Sequence, residues 1–191
     1  GARVVLIEAD LRLPKVAEYM GVEGGAGLTD VLIGRAEVSD VLQRWGRGQL
    51  YVLTAGKLPP NPSELLGSRA MAELLETFTQ HFDYIIVDAP PLLLVTDAAV
   101  VSKHTNGTLL VAASGSTRKQ ALAGAVRSLA AAGGTLLGVI VTMLPTKGPD
   151  SYGYGAYGAY GAYGDNRTRA AAAPESAAPE ASGRRRAQTA E

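Results

Sequence analysis

Val4-Val5-Leu6-Ile7-Glu8-Ala9-Asp10-Leu11-Arg12 and Tyr84-Ile85-Ile86-Val87-Asp88-Ala89-Pro90-Pro91 decide the fold. In each, consecutive large aliphatics run straight into an acid. Continuous apolar runs of strand length, as opposed to alternating ones, mark strands covered by helices on both faces of a parallel sheet. Working outward, the first run extends over residues 3–7 and the second over 84–87, with further runs at 50–53, 108–112 and 136–142. The segments between them carry helical spacing. Ser68 is a candidate N-cap for a helix through Met71, Leu74, Leu75 and Phe78. Leu122, Val126 and Leu129 space a second helix within 117–132, which Gly133-Gly134 stops. Strands alternating with helices predict an α/β fold, a mostly parallel sheet with helices on both faces and right-handed crossovers.

Composition bounds the function. The chain has 191 residues, 47% of them hydrophobic, enough for one domain with a real core. Its 18 basic and 18 acidic residues balance, so nothing in its charge calls for nucleic acid. There is no cysteine, and His81 and His104 are the only imidazoles, which argues against thiolate or histidine zinc sites and fits a reducing cytoplasm. No apolar run approaches the roughly 18–20 residues that span a bilayer. The chain opens at Gly1, without methionine and directly before a strand, and is expected to be a segment of a longer polypeptide.

After Pro145 the composition changes. Residues 147–191 are dominated by Gly, Ala, Pro, Ser, Arg and Tyr, with almost no aliphatic larger than alanine, so a folded part over 1–146 and a disordered tail over 147–191 are expected. Five of the eight tyrosines stand in this tail, Tyr152, Tyr154, Tyr157, Tyr160 and Tyr163, each followed by glycine. Only Gly and Ala separate them, so no core can form around the rings, and glycine makes ordering costly. Such a ladder suits either a modification site or a sticky low-complexity segment.

Ligands of open α/β sheets bind at the carboxyl ends of the strands. Glu8, Asp10 and Asp88 stand at two such ends, where an acid can hold Mg²⁺ or orient a water. Mg²⁺ favours few carboxylates plus phosphate oxygens and waters, so neighbouring strands of this kind suit phosphoryl transfer. Arg12 can pair with Asp10 or bridge to a phosphate.

These residues resemble the bacterial tyrosine kinases of capsule and exopolysaccharide synthesis. Residues 4–12 with Leu13-Pro14 are similar to the family's Walker A′ segment, and Gly27-Leu28-Thr29-Asp30-Val31-Leu32 to its next helix start. Leu53-Thr54-Ala55-Gly56 and Pro59-Pro60-Asn61-Pro62-Ser63-Glu64-Leu65-Leu66 resemble its most distinctive signature. Residues 82–91 are similar to its Walker B, and the tyrosine-rich end completes the set. The resemblance covers nearly all of residues 3–145.

It implies a P-loop-NTPase-type fold and an ATP-dependent protein-tyrosine autokinase. Asp10, Asp88 and Glu8 would place Mg²⁺, Asp10, Asp88 and Arg12 would be catalytic, and Thr142 would lie near the nucleotide base. The acceptors would be Tyr152, Tyr154, Tyr157, Tyr160 and Tyr163. It further implies a membrane-embedded polysaccharide co-polymerase as activator, in a separate chain or in an N-terminal part of the same polypeptide. A homo-oligomeric ring, a cognate tyrosine phosphatase and a place at the inner face of the plasma membrane complete the expectation.

Three departures stand out. Glu8 occupies a position where the family usually has Asp, and Thr142 one where it often has Asn. The P-loop pattern Gly-x-x-x-x-Gly-Lys-[Ser/Thr] does not occur in this sequence. The resemblance places that loop, with its strand and helix, ahead of Gly1, beside the Walker B strand. Without them the flanking strands are expected to show open backbone and an apolar slot. Two rival readings are a P-loop ATPase of the partitioning or division-site type, and a non-catalytic scaffold phosphorylated by a paralogue. Structural roles are expected for Pro59, Pro60 and Pro62 as a rigid loop and for Trp45 as a half-buried anchor.

Overall fold

The computed structural model describes residues 1–145. In chain order the elements are β1 (Val4–Glu8), α1 (Val16–Met20), α2 (Leu28–Leu32), α3 (Val38–Val41), β2 (Gln43–Trp45), β3 (Leu50–Leu53), α4 (Pro62–Leu66), α5 (Arg69–Thr79), β4 (Tyr84–Asp88), α6 (Asp97–Ser102), β5 (Thr108–Ala113), α7 (Lys119–Ala131) and β6 (Leu136–Thr142). All five aliphatic runs are strands. They form two sheets: a four-stranded one in the order β2-β3-β1-β4, and a parallel pair β5-β6. β1 is parallel to both β3 and β4, so the mostly parallel α/β arrangement holds.

β2 was not legible in the sequence. It is a short antiparallel edge whose polar residues carry no strand pattern. Its place is set by contacts distant in sequence. The Gln43 side chain exchanges two hydrogen bonds with the Glu23 backbone, at 2.9 and 2.7 Å, and Trp45 Nε1–H donates to the Met20 carbonyl at 2.8 Å. Trp45 is thus the half-exposed anchor its setting predicted.

The core lies between one face of the larger sheet and α5. Val5, Ile7 and Leu53 meet Met71, Leu74, Leu75 and Phe78, all buried. Ser68 caps α5 as expected, its Oγ accepting from the Met71 N–H at 3.3 Å. Ser68→Ala is predicted to cost about 0.5–1 kcal/mol, the lower half of the usual cap range because the bond is long; urea unfolding checks this. α7 ends in a left-handed Gly133 (φ 80°), with Gly133 N–H on Ala130 O and Gly134 N–H on Leu129 O, both at 3.0 Å. That six-residue closure satisfies the last carbonyls of the helix.

Two expectations meet at β4, and the apolar slot beside the Walker B strand prevails over cover on both faces. The aliphatic run of β4 predicts such cover, yet exposure alternates along it: Ile85 and Val87 pack toward the α5 core, while Tyr84 and Ile86 are exposed, Ile86 by 53%. β4 ends its sheet, and no described helix lies over the Tyr84–Ile86 side. β5 shows the same pattern, with Leu109 and Val111 exposed.

Candidate active site

β1 and β4 run side by side in register to their last residues, so that Glu8 is the Cα partner of Asp88. The ladder continues one step further, Ala9 N–H donating to Asp88 O at 2.7 Å. The chain then turns, and Asp10 sits half-buried directly beyond the two strand ends. Asp10 Oδ1 accepts from the N–H groups of Arg12 (3.1 Å) and Leu13 (3.0 Å). A short acid accepting from the backbone two and three residues on is a local turn former. Oδ2 takes no hydrogen bond among the described residues, while Leu11, buried in the core, anchors the turn from inside.

Glu8 plays a different part from the one expected of a metal ligand. It is buried, and both its oxygens are engaged. Oε1 accepts from the N–H groups of Lys15 (2.5 Å) and Val16 (2.6 Å) at the start of α1, and Oε2 from Ala55 N–H (3.0 Å) just past β3. The extra methylene relative to aspartate lets the carboxylate reach back to these donors. Glu8 therefore closes the loop that presents Asp10, and as arranged here it is not free to hold a cation.

Arg12 pairs with neither Asp10 nor an exposed acid. Its Nε and Nη2 donate to Asp97 Oδ2 and Oδ1 at 2.8 and 3.1 Å, a two-pronged grip. Ser63 Oγ donates to the same Oδ1, and also lies 3.1 Å from Thr96 Oγ1. The Arg12 pair and the Ser63 bond hold the Asp97 carboxyl below its ordinary range against the opposing effect of its burial. In the sequence Ser63 stands in the Pro59–Leu66 segment without a role of its own, and Asp97 in no motif. Thr96-Asp97 reads simply as a helix start, and nothing local in the sequence points to a partner 85 residues earlier.

Two glycine segments resembling family motifs prove to be packing devices. Leu28 and Thr29 N–H donate to Thr54 O (2.7 Å) and Ala55 O (3.0 Å), seating α2 on the end of β3. A Cβ on Gly27 would collide with the Thr54 carbonyl, and one on left-handed Gly56 (φ 74°) would meet Gly27 N at 2.5 Å. Both positions are closed to any side chain. The Pro59-Pro60-Asn61 loop forms, with α2 and Lys57, the wall of a shallow cavity of about 210 Å³. Pro62 opens α4 at its first residue, the position where a lost N–H costs nothing.

Asp88 is exposed at the sheet edge, and its carboxyl is pushed above the ordinary range, first by partial desolvation and then by the negative charges of Glu8 and Asp10. The native state thus holds more protons than the unfolded chain just above the usual carboxylate range, and Asp88 lowers stability as pH rises through that window. A cation at Asp88 and Asp10 would relieve the same repulsion. Among the described residues no three acidic, histidine or cysteine side chains form a ready protein cage for a metal. Two hard oxygen donors on adjacent strand ends fit Mg²⁺, which takes its remaining ligands from phosphate and water. Thr142 belongs to the other sheet, where its Oγ1 faces Ala112 O at 3.5 Å, and no described contact brings it to Asp10 or Asp88. The tail from 147, with Tyr152, Tyr154, Tyr157, Tyr160 and Tyr163, lies outside the described residues.

No protein-family model matches the chain. Individual relatives do. It is 39% identical over 154 residues to tyrosine-protein kinase YwqD of Bacillus subtilis, covering 81% of this chain and 65% of that protein. It is 32% identical to the putative tyrosine-protein kinase CapB of Staphylococcus aureus, covering 81% of this chain and 68% of CapB. The chain belongs to the bacterial tyrosine-protein kinases. The solved kinase domain of VpsO, 32% identical, superposes with a TM-score of 0.72 over 75% of this chain and 71% of that one. The cell-division ATPase MinD of Pyrococcus furiosus, at 24% identity and a TM-score of 0.63, shares the fold of this chain. The P-loop-NTPase-like α/β fold expected from sequence is therefore confirmed. The chain spans about two thirds of YwqD and 21% of Etk, a tyrosine-protein kinase of Escherichia coli.

Proposed function

We propose that the protein works as an ATP-dependent protein-tyrosine kinase whose phosphoryl-transfer site is built on Asp10 and Asp88. The observation that carries this is the juxtaposition at the β1 and β4 ends: two carboxylates beyond adjacent parallel strands, in a chain similar over four fifths of its length to named tyrosine kinases. Asp10 and Asp88 would hold Mg²⁺, which when bound neutralises phosphate charge in the transition state. In the transfer, the bond from the γ-phosphorus to its bridging oxygen breaks and ADP leaves. A phenolic oxygen takes the phosphoryl group, and the phenol proton passes to Asp10 or Asp88. Glu8 holds the Asp10 turn in place from behind.

The acceptors in this reading are Tyr152, Tyr154, Tyr157, Tyr160 and Tyr163 of the chain itself, presented to a neighbouring copy in a ring. Each phosphate adds about −1.5 to −2 charges, so full modification would turn a neutral tail strongly anionic and favour ring opening. The resemblance to capsule and exopolysaccharide kinases supports a regulatory role in polysaccharide export. A membrane-embedded co-polymerase activator, a cognate phosphatase and a site at the inner face of the plasma membrane belong to the same proposal.

The test is phosphotyrosine mapping by mass spectrometry on the full-length protein with Mg-ATP, beside Asp88→Asn and Asp10→Asn. Loss of a preorganised charged group at such a site typically costs about 100-fold or more in rate, and tail phosphotyrosine is expected to fall by at least that. ATP turnover without phosphotyrosine would return the reading to an ATPase switch. Tail phosphate acquired only from a second kinase would make the chain a scaffold.

A further inference from the structure

We propose that Asp97 is a positioning residue of this site: its carboxylate clamps Arg12, jointly with Ser63, and so fixes the turn that presents Asp10. The proposal rests on the phosphoryl-transfer reading above. Three segments far apart in sequence converge on this one side chain. Arg12 comes from the turn after β1, Ser63 from the first turn of α4, and Asp97 itself opens α6, which follows the Asp88-Ala89-Pro90-Pro91 loop. Asp97 is 0% exposed, whereas the Arg12 side chain is 44% exposed. A fully buried carboxylate is tolerated only when paired and hydrogen-bonded, and here each oxygen accepts at least one charge-assisted bond.

The clamp acts on Asp10 in two ways. Arg12 contributes both the backbone N–H that Asp10 Oδ1 accepts and the side chain that Asp97 grips. Leu11 fixes the inner side of the turn by burial and Glu8 fixes its exit at Lys15 and Val16, which leaves the Arg12 side chain as the tether of the outer side. The second effect is one of charge. Asp10 stands two residues from Arg12 and already accepts its backbone N–H at 3.1 Å, so a guanidinium released from Asp97 would turn to that carboxylate. A guanidinium on Asp10 would compete with a cation for the same oxygens. Ser63 gives the Pro-Pro-Asn-Pro-Ser segment a concrete role, since Pro62 sets the start of the helix that delivers its hydroxyl.

Hydrogen exchange on the full-length protein tests this without relying on turnover. In Asp97→Asn, exchange at the Arg12 and Leu13 amides is expected to rise about tenfold or more, the loss of a charge-assisted bond, while the α5 amides stay as they were. Ser63→Ala, which removes a single neutral donor, should give a smaller rise at the same two amides. In the kinase assay, Asp97→Asn is expected to raise the Mg²⁺ concentration for half-maximal rate more than it lowers the rate at saturating Mg²⁺. Unchanged Arg12 and Leu13 amides in both variants would overturn the proposal. So would a uniform rise across the domain in both, which marks Asp97 as a general stability element. If local exchange rises but no variant or wild type shows kinase activity, the clamp stands and the phosphoryl-transfer reading falls.

Discussion

Replacing Glu8 by alanine is expected to lower the unfolding free energy by about 3 kcal/mol or more, since each buried donor stranded without a partner costs about 1–3 kcal/mol. Three N–H groups lose their acceptor at once: Lys15, Val16 and Ala55. Water entering the space left by the side chain offsets part of this, which is why the expected loss lies toward the low end of the sum. Glu8→Asp should recover little, because the shorter carboxylate cannot reach α1 and the end of β3 together. Glu8→Gln should fall between, keeping one acceptor oxygen but turning an amide N–H₂ toward a donor. Trp45, the only tryptophan, provides the readout. Its indole donates to Met20, the last residue of the helix that Glu8 begins, so its fluorescence in urea reports the same unit. Equal midpoints for wild type and Glu8→Ala would show that the carboxylate carries no structural load.

The contrast between Glu8 and Asp10 shows how far the sequence could be read. That acids follow two aliphatic strands of a mostly parallel sheet was plain; that these two strands are direct neighbours, with β4 at the end of the sheet, was not. Nor was it plain which acid turns outward. The position where the resemblance expects the first metal-site aspartate carries a residue one methylene longer, and only the positions of Lys15, Val16 and Ala55 reveal that the added reach is spent inward. Arg12 was open between Asp10 and a phosphate; its actual partner, Asp97, lies 85 residues away, a pairing no local pattern encodes. β2 escaped for a related reason, since Gln43 and Trp45 are held by backbone groups of residues 23 and 20 and not by their own strand propensity. Local signals did better. The Ser68 cap, the Met71–Leu74–Leu75–Phe78 stripe and the Gly133-Gly134 stop are all determined within a few residues, and all are where the sequence puts them.

The isolated 191-residue chain is expected to self-associate, and to bind Mg-ATP more weakly than about 1 μM. Both follow from the same strands. β4 and β5 are consecutive strands linked through α6, yet each ends its own sheet, so the outer N–H and C=O groups of both lack a ladder partner among the described residues. Their side chains compound this: Ile86 is 53% and Val111 67% exposed, and β6 adds Val139 and Val141. An open edge flanked by aliphatics is a template for pairing with another copy, and the continuous runs that identified these strands lack the charges that normally blunt one. Ile86→Lys with Val111→Lys should shift the chain toward monomer in light scattering, since a lysine on each strand opposes edge pairing without touching the α5 core. Nucleotide affinity has a separate origin. Asp10 and Asp88 alone repel an anionic ligand, and the chain contains no Gly-x-x-x-x-Gly-Lys-[Ser/Thr] loop whose N–H groups would cradle phosphates. The lysine pair should therefore restore solubility without restoring affinity. A monodisperse wild-type chain would refute the account of the edges, and a Kd near 1 μM in calorimetry, about −8 kcal/mol, would refute the account of the nucleotide site. The two failures are independent, because edge pairing is a matter of backbone and aliphatic surface, whereas phosphate binding depends on donors and charge at the strand ends.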